Sequence, residues 1–272
     1  MGRRFEGKVV IVTGSSAGIG RSALIAYAKE GASVVLHGIN SERIQQTEKA
    51  LKDAGILAEK MLVIAGPIEK EETQQKLINE TIAKFGRLDV LVNNAGLTVG
   101  KNMDPLTVEN FDFVMSVNLR APFRLIELAL PHLKKTKGNI INVSSVCGMC
   151  NPIAFEEFIV YGMTKSALDR MTKNYCVKLA EFGVRINNIN PGPVETNIHD
   201  RNAPDNAPGG HGDKVQKLLN RCCPLRRGAA PEELDDVFLL LAEEKSTYIT
   251  GACWEIDGGM VNFAPAPNDY QV

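Results

Sequence analysis

The chain has 272 residues, 44% of them apolar, and a formal net charge of -1 from 31 Lys and Arg against 32 Asp and Glu. That balance, with the basic residues scattered rather than gathered into a stripe, argues against a polyanion-binding surface and so against nucleic acid as a partner. The apolar content suits one sizeable core in a single domain, and no segment reaches the ~18 apolar residues of a membrane span.

Only Met1 to Glu6 precede the first predicted strand, without the apolar stretch of a signal peptide, so a cytoplasmic protein is the expectation. Six cysteines in a chain of this size suit a reducing compartment better than a disulfide framework.

In chain order, Lys8 to Thr13 is a near-continuous β-branched run, as expected for a strand covered on both faces. Gly18 to Lys29 carries apolar residues at helical spacing and stops at Gly31. The alternation continues with strand Val34 to Leu36, helix Ser41 to Ala54, strand Met61 to Ile64 and helix Lys70 to Phe85. Strand Val90 to Val92, a long helix from Thr107 to Lys135, strand Asn139 to Val143, helix Val160 to Glu181 and strand Arg185 to Ile189 follow. Parallel strands joined by right-handed helical crossovers build an α/β doubly wound sheet with helices on both faces, and ligands then bind beyond the strand C-termini. Asn202 to Gly212, rich in Pro, Gly, Asn and Asp, reads as a loop over that crevice.

Gly14, Gly18 and Gly20 fall between the first strand and the first helix, where glycine permits a tight turn, approach to a pyrophosphate and close helix packing. The spacing differs from G-x-G-x-x-G and is weak evidence alone; the strand before it and the helix after it give it weight. Tyr161 and Lys165 lie four residues apart on a predicted helix. A free phenol has a pKa of about 10, and a nearby ammonium stabilises its phenolate, so the pair suggests proton chemistry beside a dinucleotide. Most such pairs are ordinary surface neighbours, and Ser145 after an apolar strand is often a simple turn residue. Their occurrence at the ends of successive strands reverses those odds. Cys147-Gly-Met-Cys150 has the spacing of a redox or metal half-site, but no second pair completes it.

Six motifs in order make the chain resemble the short-chain dehydrogenase/reductase family over nearly its whole length. These are Thr13 to Gly20, Asn93-Asn94-Ala95-Gly96, Asn118, the Ser145/Tyr161/Lys165 set, Pro191-Gly192-Pro193-Val194-Glu195-Thr196 and Asp257-Gly258-Gly259. The resemblance implies a single-domain Rossmann fold and hydride transfer between a nicotinamide and a carbonyl or secondary alcohol. Tyr161 is then the general acid or base, Ser145 bonds the same substrate oxygen, and Lys165 lowers the Tyr161 pKa and holds the nicotinamide ribose. Asn118 would hold a water linking Lys165 to solvent. The resemblance places Ser16 and Ile19 of the glycine turn, Ile68, and Asn94, Ala95 and Gly96 against the cofactor. It places Pro191, Gly192, Val194 and Thr196 there as well, with Val194 and Thr196 at the carboxamide.

Three departures from the family pattern matter. Ser145 lies sixteen residues before Tyr161 where about thirteen is more common, so the segment between them is expected to be longer. Pro67 stands where the family usually has an Asp that contacts adenine. The second strand ends in His37-Gly38-Ile39-Asn40 without the carboxylate that would repel a 2′-phosphate, and Asn40, Ser41 and Arg43 are candidates to bind one. NADP(H) is therefore the expected cofactor, with NAD(H) the alternative.

An apolar small-molecule substrate is expected from Ile153, Phe155, Phe158 and Ile159, with substrate loops at about 146–160 and 197–223. The competing reading is a non-catalytic dinucleotide sensor or scaffold of the same fold. Self-association into a dimer or tetramer is a family-based expectation, through the helices Thr107 to Lys135 and Val160 to Glu181.

Overall fold

A computed structural model describes residues 3–150, 155–199 and 211–263. Seven strands form one parallel sheet: β1 (Val9–Val12), β2 (Ser33–Gly38), β3 (Met61–Ala65), β4 (Val90–Asn93), β5 (Asn139–Val143), β6 (Arg185–Pro191) and β7 (Cys253–Ile256). Their spatial order is β3-β2-β1-β4-β5-β6-β7. The helices are α1 (Gly18–Lys29), α2 (Ser41–Asp53), α3 (Glu71–Phe85), α4 (Val108–Met115), α5 (Ala121–Thr136), α6 (Glu157–Ala180), α7 (His211–Arg221) and α8 (Asp235–Ala242). This is the single-domain doubly wound architecture that the alternation of apolar runs predicts.

Strand residues alternate between two cores, as the pleat requires. Val10, Val12, Val34, Leu36, Val90 and Val92 face a core closed by α1, α2 and α8. Ile11, Val35, Leu91 and Ile140 face one closed by α3, α5 and α6. Because β1 is flanked by β2 and β4, the strand order reverses there, and a crevice opens beyond the C-terminal ends of these strands. No helix among the described residues is long and apolar enough to cross a membrane.

The structure corrects four boundaries. The unforeseen β7 is a four-residue strand at the sheet's edge whose burial is only partial, so it lacks the apolar run that announces the inner strands. The long helix is divided into α4 and α5 by a π turn at Ser116–Arg120. Pro122 has no N–H to give the Asn118 carbonyl four residues earlier, and the ladder widens at that point. α6 begins at Glu157, three residues earlier than expected, with that carboxylate in its first turn where the helix dipole favours it. The expected loop at Asn202 to Gly212 lies mostly outside the described residues, and its last two positions, His211 and Gly212, open α7.

Under the crevice, β4, β5 and β6 are tied to α6 by buried polar side chains. Asn93 donates to Asn142 at 2.8 Å, and the Asn142 amide donates to Thr172 at 2.8 Å and to Asn188 at 3.1 Å. Asn188 and Asn190 donate in turn to the two carboxylate oxygens of Asp169, at 2.7 and 2.9 Å. Buried amides are stable only when bonded in this way, so the ladder fixes α6 against the sheet.

Candidate active site

At the dinucleotide end, the turn after β1 is shaped by its backbone. Gly14 has φ +65°, a left-handed conformation, and a Cβ there would stand 2.8 Å from the Ala95 Cα. Thr13 Oγ1 accepts from the N–H groups of Asn94 and Ala95, both at 3.0 Å, while the Asn94 amide donates to the carbonyls of Thr13 and Gly14 at 2.8 and 3.2 Å. The turn is thus locked to the end of β4. α1 then starts at Gly18; Ala17 before it offers no side-chain cap, and the first turn of the helix holds no acidic residue. Gly18 and Ile19 of that turn line the cleft, and the uncapped N–H groups and dipole of a helix start fit a pyrophosphate.

His37, unassigned by the motif reading, secures this turn from the other side. Its Nδ1 accepts from the Gly14 N–H at 2.9 Å, which makes Nε2–H the donor to the Gly66 carbonyl at 3.0 Å. Burial pushes its pKa down to about 4, so the ring stays neutral and the acceptor role is preserved. A lone histidine at the end of an apolar strand was the available signal.

A cleft of about 390 Å³ runs from this turn to Tyr161. Its wall includes Gly14, Ser16, Gly18, Ile19, Asn40, Arg43, Ile68, Asn94, Ala95 and Gly96, and on its other side Ser145, Tyr161, Lys165, Pro191, Gly192, Val194 and Thr196. Three of the sequence-assigned residues are not on that wall. Gly20 packs under Asn94, where a Cβ would fall 2.3 Å from its amide nitrogen. Ser41 is exposed at the start of α2, and the Asn40 side chain caps that helix by accepting from the Arg43 N–H at 2.9 Å. Asn118 is buried beneath the cleft, exchanging bonds with Leu97 N and O at 3.0 and 2.8 Å and donating to Thr164 at 3.1 Å. Its side-chain amide ties the segment after β4 to α6.

Ser145, at the end of β5, opens a short 3-10 turn, Val146–Gly148, by accepting from the Cys147 N–H at 3.1 Å. That turn lies tight on α6: a Cβ at Gly162 would stand 2.8 Å from the Cys147 carbonyl oxygen. The approach sets both Ser145 and Tyr161 on the wall of one cleft. The fifteen intervening residues therefore do not separate the two; those at 151–154, Ile153 included, lie outside the described residues.

Lys165 is 4% exposed, donates to the Val143 carbonyl at 2.7 Å and holds Nζ 5.3 Å from the Tyr161 ring centre. Desolvation lowers its pKa to about 8 against the pull of Asp169. The Tyr161 phenol is not lowered as the motif implies. Burial holds it above its ordinary value, with Cys147 adding to the rise and the nearby Ser145 hydroxyl opposing it. In the protein without a bound dinucleotide, Tyr161 is a neutral phenol.

On the substrate side, Phe158, Leu219 and Met260 form an apolar wall. Phe155 stands behind Phe158 at 6.2 Å between ring centres, while Ile159 is turned to solvent. Cys147 and Cys150 are free thiols, and burial pushes Cys147 up to about 11, which is unlike a reactive redox cysteine. Among the described residues, no group of three or more His, Cys, Asp or Glu is arranged to hold a metal ion.

Comparison with known proteins agrees with this geometry. Residues 8–207 match the family model described as short chain dehydrogenase. The chain is 34% identical over 260 residues to the 3-oxoacyl-acyl-carrier-protein reductase FabG of Thermotoga maritima, covering 95% of this chain and 99% of that one. It is 32% identical over 263 residues to the hydroxynaphthalene reductase-like protein Arp2 of Metarhizium guizhouense, covering 95% and 97%. A Caenorhabditis elegans short-chain dehydrogenase/reductase of unknown function, crystallised with cofactor, superposes with a TM-score of 0.89 at 32% identity over 99% of this chain and all of that one. A dinucleotide turn locked to β4 and a Ser-Tyr pair at the far end of the same cleft are what that likeness leads one to look for. The chain belongs to the short-chain dehydrogenase/reductase family and is an NAD(P)-dependent oxidoreductase acting on CH-OH groups.

Proposed function

We propose that the chain is an NADP(H)-preferring carbonyl reductase, working in reverse as an alcohol dehydrogenase, on a small molecule with an apolar body. The observation that carries this reading is Ser145, Tyr161 and Lys165 lining the cleft that begins at the uncapped start of α1. When bound, the nicotinamide supplies the hydride. Tyr161, kept protonated by its burial, donates from Oη to the carbonyl oxygen, and Ser145 Oγ bonds the same oxygen and fixes its approach. The Lys165 ammonium supports the phenolate left behind. Thr13, Asn94 and His37 hold the turn against which the pyrophosphate rests.

NADP(H) is favoured because β2 ends without a carboxylate and Arg43 stands on the cleft wall at that end. The names of two relatives, both reductases, support the reductive direction. The apolar substrate rests on Phe158, Leu219 and Met260. Segments 146–160 and 197–223 are the substrate loops in this reading, contributing Phe158 and, through α7, Leu219.

Self-association is also proposed, since α5 and α6 leave Phe123, Met163 and Val177 exposed at 46, 53 and 73%. Light scattering on the eluted protein at micromolar concentration tests it; a monomer sinks it. The function is tested by following NADPH and NADH oxidation across a carbonyl panel. Turnover faster with NADPH is expected, whereas tight cofactor binding without turnover on any carbonyl would favour the sensor or scaffold.

A further inference from the structure

α6 carries Glu157, Tyr161 and Lys165 at four-residue steps, so a carboxylate, a phenol and an ammonium share one face in that order. Glu157 stands one turn before Tyr161, about 5.4 Å along the helix axis, on the side away from Lys165. There it meets His199, whose Nδ1 lies 3.8 Å from Glu157 Oε1, with the two side chains only 7 and 15% exposed. His199 lines the cleft. Its ring meets Phe158 edge-on at 5.8 Å between centres, and Phe158 packs on Tyr161 at 6.1 Å. Gln216 of α7 lines the cleft too. The proton transfer assigned above uses neither His199 nor Glu157, and an imidazole held by a carboxylate on an otherwise apolar wall presents a fixed polar group to whatever fills the cleft.

We propose that His199, positioned by Glu157, hydrogen-bonds a hydroxyl on the substrate, and that this enzyme acts on hydroxyketones whose hydroxyl lies across the Phe158 ring from the reacting carbonyl oxygen. The inference rests on the carbonyl-reductase reading and narrows it. A wall of Phe158, Leu219 and Met260 takes the carbon skeleton, Tyr161 and Ser145 take one polar end, and His199 takes the other.

The test is kcat/KM with NADPH for two matched pairs, cyclohexanone with 4-hydroxycyclohexanone and acetophenone with 3-hydroxyacetophenone. The wild type is expected to favour the hydroxylated member by on the order of tenfold, chiefly through KM. His199→Leu should bring that ratio to about one, His199→Gln should retain part of it, and Glu157→Gln should lower it severalfold. His199→Gln and Glu157→Gln keep size and polarity, so they carry the test if the leucine variant does not fold. No preference in the wild type, or a preference untouched by the His199 variants, overturns the assignment of His199. Failure of the underlying function reads differently: no ketone in any panel is turned over while the dinucleotide still binds.

Discussion

At the dinucleotide end of the cleft the wall is largely main chain: a left-handed Gly14, the open N–H groups of α1, and a turn held from beneath by Thr13, Asn94 and His37. At the substrate end it is side chain, delivered by the turn after β5, by α6 and by α7. A backbone site recognises a shape shared by any dinucleotide and tolerates few substitutions. A side-chain site can be rebuilt residue by residue without disturbing the turn. The difference teaches that cofactor class is written into the fold, whereas substrate choice rests on a handful of replaceable groups.

The largest effect that would sharpen this contrast is Tyr161→Phe, which should lower kcat on the order of 10³-fold while leaving the dinucleotide dissociation constant within about threefold. A matching loss of cofactor binding in a fluorescence titration would break the separation of the two ends. Next comes acid destabilisation at His37. Its folded pKa of about 4 lies below the unfolded value of 6.5, so its contribution is complete above pH 6.5 and disappears as pH falls toward 4. About 3 kcal/mol is at stake, and His37→Leu should flatten that part of the curve of urea midpoint against pH.

Gly14→Ala forces a left-handed alanine against Ala95 and should remove about 2 kcal/mol of stability, with cofactor KM rising more than kcat falls. Smallest is Ile39→Arg, a substitution at a residue 71% exposed on the cleft rim, expected to raise the NADPH-over-NADH ratio of kcat/KM about tenfold. An unchanged ratio would show that this rim does not read the ribose phosphate.

The order of elements was legible because β1 is an unbroken apolar run and β4 and β5 keep short apolar runs beside their buried asparagines. β7 has no such run, and its pairing with β6 is set by tertiary contact. Tyr161 and Lys165 were legible as a local spacing. The bracing by Asn118 could not be read locally, because its amide reaches Leu97 and Thr164, the latter 46 residues away. His37 was weighed only as the absence of a carboxylate, when its two ring bonds reach back to Gly14 and on to Gly66. Glu157 carried a visible signal, since it extends the Tyr161-Lys165 step by one more turn. His199 did not, because nothing near it in the chain announces its partner.

Because Asp169 and Thr172 are keyed into the asparagines of β5 and β6, α6 has one permitted register on the sheet. Insertions between Ser145 and Glu157 are therefore absorbed as loop, and the reacting phenol and its lysine neighbour stay where they are. Lineages can lengthen or shorten that stretch to explore new substrates without relearning catalysis, and an engineer grafting foreign sequence there inherits the same freedom.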